Sequence, residues 1–139
     1  MTAQPSINRY LENEAMDRID HALGRPLDPT GETYRNYYAT DGALADEMAA
    51  SPFWREGRRS GRLRGFCVTD AGCQALAEHL KLIGDQHRAF AVTFDGHTRI
   101  VAATTHSKAK YSYFLDVSDV LTDLTFTEFC RRASVRLAN

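Results

Sequence analysis

The sequence is poor in the residues that announce specialised chemistry. It has three cysteines, Cys67, Cys73 and Cys130, an odd number with no paired spacing. That pattern excludes a disulfide framework and a cysteine metal knuckle, and it reads as small packed thiols in a reducing compartment. Long hydrophobic runs are missing too. No apolar stretch approaches the ~20 residues needed to span a bilayer, and the first fifteen residues carry no charged-then-apolar export pattern. A cytoplasmic protein with no membrane partner is the expectation. A surplus of charge is also absent, since 17 Lys and Arg stand against 18 Asp and Glu. Charge-driven disorder and a polycationic packaging role are therefore excluded. With 139 residues the chain has room for one compact domain or two small lobes.

Catalytic and cofactor motifs are equally sparse. His21, His79, His87, His97 and His106 are scattered, with no pair at helical ligand spacing, so no metal is predicted. No glycine motif of the nucleotide-binding kinds occurs, and no cofactor is predicted. Asp116, Asp119 and Asp123 with His106 could suggest hydrolysis, but their surroundings read as capped turns between short helices. Cys73 falls in the first turn of a predicted helix, where the dipole would lower a thiol pKa. A packed thiol near Leu76 is the simpler reading. The sequence predicts no enzyme and no catalytic residue.

What is present is a concentration of one charge. Residues 1–50 hold four arginines against nine acids, whereas residues 51–70 hold five arginines against two acids. Arg55, Arg58, Arg59, Arg62 and Arg64 lie among Gly57, Gly61 and Gly65. This composition predicts a flexible cationic loop over 57–65 that focuses positive potential in one place.

Periodicity supplies the surrounding elements. A four-residue apolar step from Ile7 through Leu11, Ala15 and Ile19 to Leu23 predicts a helix over 7–23, started at Ser6 and stopped at Gly24. Thr33-Tyr34-Arg35-Asn36-Tyr37-Tyr38 is a dense aromatic patch, helical or extended, whose tyrosines would pack the first helix onto the rest. A second helix is expected over 42–50, then a helical turn carrying Phe53 and Trp54. Gly65 to Thr69 alternates as a strand, and Asp70 would cap a helix over 71–83. Asp95-Gly96 joins two β-rich runs, 88–94 and 98–105, in a hairpin. Ser107 would open a helix to about residue 115, Thr125 and Glu128 would box another to residue 133, and 134–137 would be a closing strand.

The order helix, short helix, Arg/Gly loop, strand ending in Val68-Thr69-Asp70-Ala71-Gly72, then helix resembles the wing and trailing helix of prokaryotic winged-helix proteins over residues 34–83. More loosely, the aromatic patch, that step, Lys108-Ala109-Lys110-Tyr111 and Thr125-Phe126-Thr127-Glu128-Phe129 are similar to small uncharacterised bacteriophage and prophage proteins. The resemblance, taken with the predicted elements, gives the expectation of an α+β fold with a winged-helix-like helical portion over 1–84. A β-hairpin with short helices would follow over 85–139, packed with it as one unit. It also implies a wing at 57–65, where planar guanidiniums could fork onto phosphates. The helix expected to enter a groove departs from that pattern, because Asp46 and Glu47 would meet phosphates with like charge.

Two functions follow as expectations. One is a non-enzymatic phage or mobile-element accessory protein that binds a host protein or nucleoprotein, to interfere with defence or transcription. The other is a nucleic-acid-binding module that contacts phosphates through the Arg/Gly loop. The candidate contact residues are Arg55, Arg58, Arg59, Arg62 and Arg64, with Trp54 as an anchor and Lys108 and Lys110 as auxiliaries.

Overall fold

A computed structural model describes residues 4–138 of the chain, which is α+β. It divides into two compact units, one ending at Asp85 and the other beginning at Gln86. No helix among the described residues is long and apolar enough to cross a membrane.

The first unit opens with helix α1 over Glu14–Ala22, half the length that the apolar stripe predicts. Asn13 is the cap, its side chain accepting from the Met16 N–H. The correction has a clear cause in residues 6–9, which run back along 24–26 instead of coiling. Ser6 bridges Pro26, and the Ile7 N–H donates to the Arg25 carbonyl at 2.8 Å. Arg9 then turns inward onto Asp20, which is fully buried, donating to both carboxylate oxygens at 3.0 and 2.7 Å. Ile7 is buried as the stripe requires, but from extended chain. At the other end Gly24, at φ +82, stops α1 as expected.

The aromatic patch is extended and feeds strand β1, Tyr38–Thr40. Tyr38 alone of its tyrosines packs inward, against His21 and Trp54. Tyr34 and Tyr37 stay largely exposed and rest on glycines, Tyr34 against Gly24 at the end of α1 and Tyr37 against Gly65. Helix α2 spans Gly42–Ala49 and buries Ala45 and Met48. The expected helical turn after it is one tight turn, and Trp54 already begins strand β2, Trp54–Ser60, which pairs with β3, Leu63–Val68. The sheet order is β1-β3-β2, antiparallel throughout.

Helix α3, Asp70–Leu82, follows β3 directly. Thr69, not Asp70, is its cap, accepting from the Gly72 N–H while its own hydroxyl donates to the Pro52 carbonyl at 2.7 Å. Gly72 is dictated by packing: a Cβ there would lie 2.6 Å from the Phe53 carbonyl oxygen and from a Val68 methyl. The Thr-Asp-Ala-Gly step thus encodes a capped helix start pressed against the preceding turn. Phe66 and Leu76, both with no exposed surface, centre the core with Ile19, Leu23 and Trp54. Each such side chain contributes about 1.5–3 kcal/mol by leaving water.

The second unit is a three-stranded sheet backed by two helices. Strands β4, Arg88–Phe94, and β5, His97–Ala103, meet at Asp95-Gly96, both in the left-handed region that a tight two-residue hairpin turn demands. Helix α4 runs over His106–Ser118, capped by Thr105, and α5 over Phe126–Arg132, capped by Thr125. Strand β6, Ser134–Leu137, pairs with the free edge of β4 and makes it central. Phe90, Val92 and Phe94 alternate onto one face and pack with Tyr113 and Phe129.

Candidate functional site

The Arg/Gly segment is not a flexible loop. It is the β2–β3 hairpin, and its glycines serve geometry. Gly61, at φ +61, occupies the first position of a two-residue turn between the paired Ser60 and Leu63, which leaves Arg62 at the tip. The register jumps between Glu56, opposite Phe66, and Arg59, opposite Arg64. Gly57 and Arg58 therefore oppose Gly65 alone, a bulge of the kind that re-aims a side chain.

Pairing splits the five arginines into two sets. Arg64 grips Glu56 with two parallel hydrogen bonds, both 2.9 Å, and reaches Asp46 of α2 at 2.6 Å, while its guanidinium lies over the Phe66 ring. Its side chain is only 14% exposed. Arg64 is thus a structural clamp between hairpin and helix, a correction to its expected role as a contact residue. Arg59 shares Glu56 at 3.0 Å but keeps 62% of its side chain in solvent. The Arg64 hydrogen bonds, with help from Arg59, hold the Glu56 carboxyl down at about 2, and Glu56 and Asp46 in turn push the Arg64 pKa upward. Arg55, Arg58 and Arg62 are exposed and make no ion pair among the described residues.

Trp54 is buried, its ring wedged between Tyr38 and Phe66, so it serves the core and not a partner. Lys108 is exposed in the first turn of α4, and Lys110 donates to the Cys130 carbonyl at 3.2 Å. Both lysines belong to the second unit, whereas the hairpin belongs to the first.

Sequence reasoning missed the hairpin's outer face. Tyr38 points to the core, so Tyr37, one residue earlier, points the other way. Its ring edge lies over Gly65, where a Cβ would meet the Tyr37 Cε1 at 2.9 Å and the Tyr37 hydroxyl oxygen at 3.0 Å. Asn36 fixes this approach by bonding both backbone groups of Val68, accepting from its N–H at 2.7 Å and donating to its carbonyl at 3.0 Å. The readable signal was the alternation Asn36-Tyr37-Tyr38 facing a glycine-bearing strand.

The thiol hypothesis is reversed. Burial, reinforced by the charge of Asp70, pushes the Cys73 pKa up. The adjoining cleft of about 460 Å³, which includes Thr30, Asn36, Asp70 and Gln74, has no histidine among its described lining residues. Elsewhere His106 packs edge-on against Phe90, and Asp116 pairs with Arg99. No three His, Cys, Asp or Glu side chains converge as metal ligands among the described residues. No family model, curated protein or solved structure matches the chain.

Proposed function

We propose that this is a non-enzymatic binding protein, a phage or mobile-element accessory protein, that engages an anionic host macromolecule through the β2–β3 hairpin. The observation that carries the reading is the division of the arginines. Arg64 and Glu56 neutralise each other internally, while Arg55, Arg58 and Arg62 stand exposed on the paired ribbon with no ion pair among the described residues.

Of the anionic surfaces a host offers, the phosphate backbone fits best. Unpaired guanidinium forks suit phosphate oxygens, and protein docking sites draw their energy from a desolvated aromatic or aliphatic anchor. The anchor expected here, Trp54, is consumed by the core, and the aromatic left exposed on this sheet, Tyr37, stands beside the cationic strand and not in a desolvated pocket. In this reading the hairpin acts as the wing of a winged-helix-like unit, and the order β1-β3-β2 with α3 trailing supports that comparison. Major-groove readout is not part of it. A helix-turn-helix reader needs two successive helices, and one acidic helix, α2, lies between β1 and β2.

The test is salt-dependent retention on heparin, a generic polyanion. Wild type is expected to elute at clearly higher salt than the R55A/R58A/R62A variant. Co-elution of the two would overturn the reading.

A further inference from the structure

The three strands β1, β3 and β2 have two faces, and only one is used by the core. On the opposite face the register sets Arg55 of β2 across from Cys67 of β3. Extending the pairing of Tyr38 with Phe66 by one residue sets Tyr37 across from Cys67 on its other side. A row of three thus crosses the sheet, an aromatic ring at one edge and a guanidinium at the other. The edges are two strand spacings apart, about 10 Å. The floor beside that row is low, because Gly57 and Ala39 have little or no side chain there, and the edge of the Tyr37 ring rests on Gly65 between them. Arg58 borders the same floor through its backbone, its carbonyl oxygen 3.2 Å from where a Gly65 Cβ would lie.

Tyr37 as a residue is 56% exposed, yet its ring edge is seated on Gly65. An aromatic held this way loses little freedom when a second flat group packs on it. Single-stranded nucleic acid requires this combination, a stacking ring beside a cationic track for the backbone, whereas a duplex keeps its bases paired and offers phosphates.

We propose that the outer face of the β1-β3-β2 sheet binds single-stranded nucleic acid, with one unpaired base stacked on Tyr37 and the adjoining phosphates held by Arg55 and Arg58. The proposal rests on the reading of the hairpin as a phosphate-binding element, and it adds the class of nucleic acid and the ring that selects it.

Fluorescence polarisation on the full chain tests it, with a labelled dT oligonucleotide of about 12 nucleotides and a duplex of equal length. The single strand is expected to bind more tightly. Tyr37→Ala should weaken single-strand binding by at least about fivefold, the low end of a lost base stack, and leave duplex binding within about twofold. Tyr37→Phe keeps the ring and should retain affinity. Tyr37→Leu keeps apolar cover over Gly65 without a π-face, so it should behave as Tyr37→Ala even if the alanine variant unfolds. Saturating oligonucleotide should also slow alkylation of Cys67, the middle of the row.

Equal affinity for both nucleic acids, Tyr37→Leu binding like wild type, or unchanged Cys67 alkylation would each overturn the proposal. If the arginine variant still loses heparin retention in those cases, the hairpin reading survives alone. If neither oligonucleotide binds, the stacking proposal and the phosphate reading both fall.

Discussion

Arg9 and Asp20 form the most demanding pair in the molecule. Asp20 is wholly buried, and Arg9 answers it with two hydrogen bonds while also donating to the Pro26 carbonyl and to Asp85. Removing one partner of a buried pair strands the other charge, which costs about 3–5 kcal/mol. Arg9→Ala is therefore expected to lose that much in a denaturant titration, although Arg25 still touches Asp20. Glu56 supplies a second test at this scale. Its pKa is depressed in the folded chain, so its contribution is fully present above the ordinary carboxylate value of 4.5 and disappears as pH falls to about 2. Melting temperature should fall across that window more steeply in wild type than in Glu56→Gln. In Arg64→Ala the Glu56 carboxyl, followed by NMR, should titrate nearer its ordinary value.

At the scale of elements, glycine has two different jobs. Gly96 makes a turn that sequence alone announces, and Gly61 makes one that the sequence reading left inside a loop. Gly65 and Gly72 are small because something else occupies the space of their missing Cβ, Tyr37 in one case and the Phe53 backbone in the other. Gly72→Ala cannot be relieved by a rotamer change, since a backbone carbonyl stands in the way. It is expected to destabilise by about 1–3 kcal/mol, the range for overpacking, measurable by thermal or urea unfolding. The same distinction explains what was legible. The β4–β5 hairpin, α2, α3 and α5 follow from turn, cap and period signals lying within a few residues of one another. The start of α1 did not, because the choice between coiling residues 7–13 and running them beside 24–26 depends on where Arg9 finds a carboxylate.

Across the whole molecule, a net charge of −1 coexists with a hairpin in which three of five arginines make no ion pair among the described residues. Three unpaired arginines give an expected slope of log affinity against log salt of about −2.7 on duplex DNA. That is about a 40-fold loss between 50 and 200 mM salt. If Arg64 also released counterions, the slope would approach about −3.6, so the measured value distinguishes a clamped Arg64 from a contacting one. A slope near zero would remove phosphate from the account altogether.

The sequence by itself determined the α+β class, most element positions and the concentration of arginine between residues 55 and 64. These depend on local periodicity, capping chemistry and composition, which need no partner distant in the chain. Which arginines are spent on Glu56 and Asp46, why Trp54 is core and Tyr37 is surface, and why Cys73 is raised and not lowered in pKa were decided by tertiary structure. Ion pairing, burial and desolvation arise only when segments remote in sequence are brought within a few ångströms.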